Sequence, residues 1–435
     1  MKKILINITA CLLMLALLPG ISSCKKEFDN PNAATTDQAL SSSRGLMAVA
    51  IGVQRLYTLN VQYGLSDATG LITGETFLLN PGNLSEAQFS SGGNAVDNTN
   101  ALLGNVWATS SKCIYDANNV ITGAEGLADK AYASGLIGYA TIIKSLAIGA
   151  QSMYWENVPD TIGTTATGFI SRENGFNKAI AAIDKALALI SANPISAAFT
   201  TDMPAGINDI PNTLLALKAR YLLFVGKYAE ALTAANAVNV SKVSNFNFDA
   251  ATPNPIYNIV ASTNNVYQPV DSTLGLPLSI RPALTDARIA FYTSINASIA
   301  PRFRLKGFWD AANKSIPIYI PDEVKLIRAE CLLRQSAPDA AAAKTIIDEV
   351  LKQTPAADPL GVGANIADGY TGDTDAASLL TEVYRNRCIE LYLSGLKLED
   401  MRRFGRPVSE RKRNFFPYPI AERNNNTNTP ADPAF

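Results

Sequence analysis

Histidine is absent from all 435 residues, and that one gap removes much of enzyme chemistry. Without imidazole there is no Ser-His-Asp or Cys-His nucleophile activation, no histidine metal ligation and no imidazole pH switch. Any acid–base chemistry would rest on carboxylates. A strong charge of either sign is also missing, since 37 Lys and Arg stand against 38 Asp and Glu, for a formal net charge of −1. That balance sets up no field to attract nucleic acid. The densest basic run, Arg402 to Arg413, reads as a solvated turn. Cysteine is scarce, with five in the chain. Cys113, Cys331 and Cys388 are widely spaced and each lies in an apolar, helix-forming pattern, which argues against a disulfide framework or a zinc site and predicts buried free thiols.

What the chain does have begins at its N-terminus. Lys2 and Lys3 precede an apolar run from Ile4 to Leu18 that is too short to span a bilayer comfortably, followed by Pro19, Gly20 and Ile21-Ser22-Ser23-Cys24. This resembles a bacterial lipoprotein signal. The resemblance implies cleavage before Cys24, which takes Cys11 with the signal, and acylation of the Cys24 thiol. Several acyl chains at about 0.8 kcal/mol per buried CH₂ make a firm anchor. The expected organisation is a signal over 1–23, a polar tether over 24–36 and a single domain over 37–435.

Within that domain, 47% hydrophobic residues supply an ample core. Helical periodicity predicts a first helix over Asp37 to Tyr57, two long ones over roughly Asn100 to Gly123 and Leu127 to Trp155, and another from Ser171-Arg172 to Ser191. Pro159 stops the second long helix. Trp107 falls in the apolar pattern of its helix and is expected in the core. Two segments lose the period. Asn60 to Thr99 is rich in Gly, Asn and Ser and reads as a long irregular segment, and Asn239 to Pro321 is rich in Asn, Pro, Ser, Thr and aromatics.

Asn212 to Val238 reads as a helix-turn-helix resembling a tetratricopeptide repeat, with Ala219 at the helix crossing, Gly226 at the turn, and Tyr228 and Ala231 packing back. A weaker copy follows about 110 residues on, within 321–352, where Ala329, Leu332-Leu333, Ser336 and Ala341 match Ala219, Leu222-Leu223, Gly226 and Ala231. Two such pairs, with several further unmatched helices, argue for an α-helical solenoid scaffold.

The stretch from Thr381 to Gly405 organises the C-terminal end. Leu380, Val383, Tyr384, Cys388 and Leu391 line one side of a helix; Ser394 and Gly395 interrupt it; a short helix with Leu398 and Met401 inward ends at Gly405. Helical spacing pairs Arg387 with Glu390, Lys397 with Asp400, Asp400 with Arg403, and Glu399 with Arg402 and Arg403, a structural ion-pair network. The order Arg387, Glu390-Leu391, Ser394-Gly395, Lys397, Asp400-Met401, Arg403-Phe404-Gly405 resembles the C-terminal signature of the SusD/RagB family. Asn386, Ser394, Lys397 and Phe404 stand where that family usually has Glu, Glu, Arg and Trp, changes expected to weaken the network. Asp29-Asn30-Pro31-Asn32, the Trp107 helix, Asp286-Ala287-Arg288, Ile316-Pro317 and the closing Phe416 to Asn424 resemble further family segments.

The resemblance implies an all-α fold with a tetratricopeptide-like scaffold on one side and a loop-rich ligand-binding face on the other, in a surface-exposed outer-membrane lipoprotein that is not an enzyme and has no cofactor. Such a protein captures a nutrient, usually an oligosaccharide, and passes it to a SusC-like TonB-dependent transporter. A sugar site needs flat rings for C–H faces and amides or carboxylates for hydroxyls. The two irregular segments offer these, with Tyr63, Phe77 and Asn94 from the first and Tyr267 and Trp309 from the second as candidate contacts. Two other classes compete. A tetratricopeptide adaptor without a small ligand would show repeats near 34 residues, and a glycoside hydrolase would need two carboxylates across a cleft.

Overall fold

The computed structural model describes residues 40–163, 165–262, 266–298, 300 and 302–435. Cys11, the Ile21 to Cys24 tetrad, the tether and the Asp29 to Asn32 segment lie outside them.

The scaffold starts with α1, Ser43–Leu56, where the Ser42 hydroxyl accepts the Gly45 N–H at 3.1 Å and closes the first turn. Leu46, Met47, Ala50 and Val53 face inward. The chain then departs from the expected long loop. A π-helical stretch, Tyr57–Gln62, runs straight into α2, Tyr63–Ile72, then strand β1, Thr76–Leu78, and α3, Leu84–Ser91. Composition misled here because the polar residues of α2 point inward: Ser66, Asp67 and Thr69 are all buried. Gly64 and Gly70 are functional absences of side chain, since a Cβ at either would collide with Val106 or Leu393.

Next come α4, Ala101–Glu125, and α5, Lys130–Tyr154, capped by Asn100 and Asp129. α5 is long and apolar enough to cross a membrane by composition, yet it is buried along most of its length against α4, α6 (Arg172–Ala192) and α8 (Ile210–Phe224). It is the central helix of the core. Strands β2, Asn157–Pro159, and β3, Phe169–Ser171, pair ahead of α6, and the short α7, Ala197–Asp202, precedes α8. Trp107 is buried with its indole N–H donating to Glu422 at 3.0 Å and its ring edge-on to Trp155.

α8 turns at Gly226, with φ of 74°, into α9, Tyr228–Ala237. The second pair comprises α11, Pro321–Arg334, and α12, Ala340–Lys352, with α11 packed on α9. The loop joining α11 to α12 is two residues longer than that joining α8 to α9, which moves the inward alanine from position 341 to position 343. Ala343 is buried and Ala341 exposed, so the sequence match to Ala231 is displaced by that insertion. Between the pairs lie short elements: β4 (Asn245–Phe246), β5 (Tyr267–Pro269), α10 (Ala287–Tyr292), β6 (Thr293–Ile295), β7 (Phe303–Leu305) and β8 (Ile316–Pro317). β5 pairs with β1, β4 with β8 and β6 with β7, all antiparallel.

α13, Ala376–Glu390, and α14, Lys397–Arg403, form the C-terminal corner, with Gly395 and Gly405 at φ of 88° and 60°, and α15, Ile420–Asn425, closes the chain. Ion pairs hold the corner, but mostly not the neighbours that helical spacing selects. Arg387 binds Asp400 through both Nε and Nη2, at 2.9 and 3.1 Å, and Asp400 also accepts from Arg403 at 2.6 Å. Arg403 continues to Glu330 of α11 at 2.6 Å. Glu390 instead binds Arg288 at 2.7 Å, and the Lys397 ammonium donates to the Gly275 carbonyl at 3.1 Å. Glu399 does pair with Arg402, and with Arg172. Asn386 donates to Glu382 and accepts from Arg288 at 2.9 Å, so it joins the lattice as a neutral member.

The basic run is not a solvated turn. The Arg402 and Arg403 side chains are only 8% and 9% exposed, and the Arg413 guanidinium donates to the carbonyls of Gly93 and Val96. Cys113, Cys331 and Cys388 are free and buried, and burial pushes each thiol up to about 12, so none is a nucleophile at neutral pH.

The two helix pairs are tied by Arg220 on α8 and Glu323 on α11, joined by two bonds of 2.6 Å, and a third bond from Arg220, to the Ile318 carbonyl at 3.0 Å, reaches the loop segment beside β8. Removing one partner strands a buried charge. Arg220→Met is expected to cost about 3–5 kcal/mol in urea unfolding, and Arg220→Met with Glu323→Leu to recover most of it. An unchanged urea midpoint in the single variant would show that the pair holds nothing.

Candidate functional site

The loop-rich half carries a surface cavity of about 490 Å³. Its floor is aromatic. Phe291, at the end of α10, meets Phe308 edge-to-face with centroids 5.1 Å apart, and Phe291 remains half-buried. Beneath them Tyr292 stacks on Trp309 at 5.7 Å and touches Tyr392 at 5.4 Å, a second ring layer that fixes the first. Gly307 makes this approach feasible: its φ is 77°, and a Cβ there would sit 2.8 Å from the Phe291 ring. Asn245, Asn313 and Ser315 supply amide and hydroxyl groups, Lys306, Lys314 and Asp310 charged ones, and Pro359 and Leu360 close the far wall.

These walls are loops, so their backbone bonds must be met individually. Asn254, fully buried, does most of this. Its amide donates to the carbonyls of Phe308 and Lys314, each at 2.9 Å, its side-chain oxygen accepts from the N–H groups of Ile256 and Tyr257, and its own N–H reaches Ala312 at 2.8 Å. Asn247 accepts from the Ser315 hydroxyl at 2.7 Å. Asp358 orders the opposite wall by accepting the N–H groups of Leu360 and Val362 at 2.7 and 3.0 Å. Gln268 bridges β5 to the Leu305 N–H at 2.8 Å, and β5 pairs with β1, so the two irregular sequence segments meet in one face.

The five candidate contacts are spread across that face. Trp309 is 2% exposed and Tyr267 fully buried, so neither ring offers a face to a ligand as the protein stands. Trp309 belongs to the ring layer under the floor, and Tyr267 is packed at β5 opposite Leu78. Phe77 lies beside it on β1, half-buried and opposite Gln268. Asn94 is exposed on the turn Gly93–Ala95, which is tied to the C-terminal segment through the Lys412 carbonyl. Phe291 and Phe308, the floor itself, were visible in the sequence as loop aromatics. The signal that separates them from Trp309 is the adjacent Gly307, which draws the backbone against one ring.

Tyr63 sits with Tyr267 in a different corner, around Asp67 of α2 and Glu86 of α3. Both Asp67 carboxyl oxygens are buried without a well-formed hydrogen bond. Burial, then the nearby Glu86 charge, hold Asp67 well above the usual carboxylate range, with only the Tyr63 hydroxyl opposing them. No cluster of three carboxylate, cysteine or histidine side chains among the described residues is placed to hold a metal ion.

No protein-family model matches the sequence, and none of the curated proteins does. Solved structures do match. A SusD homolog from Bacteroides thetaiotaomicron superposes with a TM-score of 0.74 over 92% of this chain and 99% of its own, at 15% identity. The chain has the SusD fold. A SusD superfamily protein from Bacteroides vulgatus gives 0.66 at 13% identity, covering 90% and 99%. A SusD-like carbohydrate binding protein from Bacteroides fragilis gives 0.63 at 17% identity, covering 84% and 87%. At such identities the likeness is one of fold, and it bears out the expected all-α architecture with its loop-rich face.

Two outcomes follow for this SusD-fold face. Asp67 binds its proton more tightly folded than in the unfolded chain, where a carboxyl titrates near about 3.9. Its contribution is therefore fully present below that value and is lost as pH rises towards the folded pKa. Asp67→Asn should unfold at higher urea than the parent at about pH 8 and show a flatter decline between about pH 5 and pH 8; a parallel decline would place the pH dependence elsewhere. Asn254→Ala should cost about 1–3 kcal/mol by stranding two carbonyls. Hydrogen exchange should then accelerate across Phe308 to Ser315 while α5 stays protected.

Proposed function

We propose that this protein is a SusD-family capture lipoprotein that holds an oligosaccharide at the aromatic-floored cavity without cleaving it. The observation that carries this reading is the floor itself: the half-buried ring of Phe291, backed edge-on by the buried Phe308, under a rim of amides, a hydroxyl and charged groups, in a fold of which one solved example is described as carbohydrate binding. Sugar rings present apolar C–H faces and hydroxyl edges, and this cavity presents the complement of both. A glycoside hydrolase needs two carboxyl groups facing each other across the scissile bond. Among the described residues lining the cavity, Asp310 is the one carboxylate.

The reading extends to the cell envelope. Cys24 would carry the lipid and hold the protein on the outer membrane, facing outward, and the partner would be a SusC-like TonB-dependent transporter that receives the sugar. The Ile21-Ser22-Ser23-Cys24 tetrad supports the anchor and the SusD fold supports the partner.

The test is affinity electrophoresis through gels containing a panel of polysaccharides, with reducing ends assayed in the same samples. Retardation by at least one glycan without new reducing ends is expected, and Phe291→Ala should weaken it about tenfold, the equivalent of one lost stacking contact. Cleavage would replace capture with hydrolysis, and retardation untouched by Phe291→Ala would move the site away from this cavity.

A further inference from the structure

Asn239 to Pro321, the segment that builds most of the cavity, carries seven Lys and Arg against four Asp and no Glu, a net of +3 in a chain whose formal net charge is −1. One of those cations, Arg288, is buried with Asp286, so the excess belongs to the exposed groups. It is concentrated close to the cavity, where Arg302, Arg304, Lys306 and Lys314 fall within thirteen residues that contain one carboxylate, Asp310. Lys306 and Lys314 line the cavity directly. The Lys306 ammonium lies 3.3 Å from the Ala290 carbonyl, one residue before the floor ring Phe291. Lys314 approaches Asp310 at 3.7 Å, and its side chain is 51% exposed, so this loose pair offsets only part of the positive charge. The other acidic group near the wall, Asp358, is turned inward onto the N–H groups of Leu360 and Val362 and does not face the cavity.

We propose that the ligand is an anionic oligosaccharide, one whose sugar units bear carboxylate or sulfate groups. The proposal rests on the capture reading above and narrows it. A ring of the glycan lies on Phe291, which Phe308 backs edge-on, while its anionic substituent meets Lys306 and Lys314. Two ammonium groups on flexible stems suit a substituent whose position varies from unit to unit, because each is a point charge without a fixed fork geometry. Exposed cations of this kind also speed encounter with a charged polymer and make binding salt-sensitive.

The experiment runs the purified protein through gels containing polygalacturonate, its fully methyl-esterified form, a sulfated galactan, and a neutral glucan. Retardation by polygalacturonate but not by the methyl ester is expected if carboxylates are read, and by the sulfated galactan if sulfates are. In either case the paired charge reversal Lys306→Glu with Lys314→Glu should weaken binding at least about tenfold, and added salt should weaken it further. Lys185→Glu, on the exposed side of α6 where Lys185 pairs with Glu125, is the control for unspecific charge and should leave glycan binding unchanged; thermal melting should be unaltered in the paired reversal. Equal retardation by the ester and the acid, or equal loss in the Lys185 control, overturns the anionic inference. Binding to the neutral glucan alone, lost in Phe291→Ala but kept in the charge reversal, overturns it too and leaves capture standing. Retardation by no polysaccharide removes the capture reading and this inference with it.

Discussion

The structure depends on a buried lattice of arginines and carboxylates where α11, α13 and α14 meet. Arg387 is fully buried, and its positive charge is tolerable there only because Asp400 meets it through two bonds and Arg403 and Glu330 continue the alternation. Desolvating so many ions has a cost that the lattice itself recovers only when every partner is in place, which makes it a device for specifying one arrangement of helices more than a source of net stability. Arg288 extends the lattice out of the helical half. By binding Asp286, Glu390 and Asn386 together, it fixes the start of α10 and therefore the position of Phe291. The site thus inherits its geometry from charges that never touch it.

Much of the scaffold was legible in the sequence because helices with one apolar side announce themselves through period. α4, α5 and α6 fall within a few residues of their expected limits, and the corner at Ser394-Gly395 is where the apolar stripe breaks. The ion pairs were legible as residues but not as partners. Spacing along one helix favours Arg387 with Glu390, whereas the fold brings Asp400 from the next helix closer, and a buried guanidinium takes the partner that can bind both its arms. The segment from Asn60 to Thr99 was misread for a related reason. Glycines and small polar residues mark turns when they face water, but in α2 they mark close packing, with Gly64 against Val106 and Thr69 bonded to the Tyr154 hydroxyl at 2.9 Å.

The candidate site shows the limits of reading aromatics from loops. Ten of them fall between Asn239 and Pro321, and nothing in their own identity says which face outward. The structure sorts them by layer. Tyr267, Tyr292 and Trp309 are interior because backbone elements close over them, while Phe291 stays half-open beside a glycine that no other residue could replace without strain. Asn254 was equally invisible as a determinant: one amide among many in a polar stretch, yet the clamp for an entire wall.

The layering of rings also has an optical side. The protein has three tryptophans, and two of them, Trp107 and Trp155, sit against each other with centroids 4.8 Å apart at the α4–α5 end of the core. The third, Trp309, touches Phe308 edge-on at 5.7 Å and is therefore one ring removed from the cavity floor, shielded from water yet coupled to whatever rests above it. Of the three, its indole is the one whose surroundings belong to the loop face, while the other two report on the helical core.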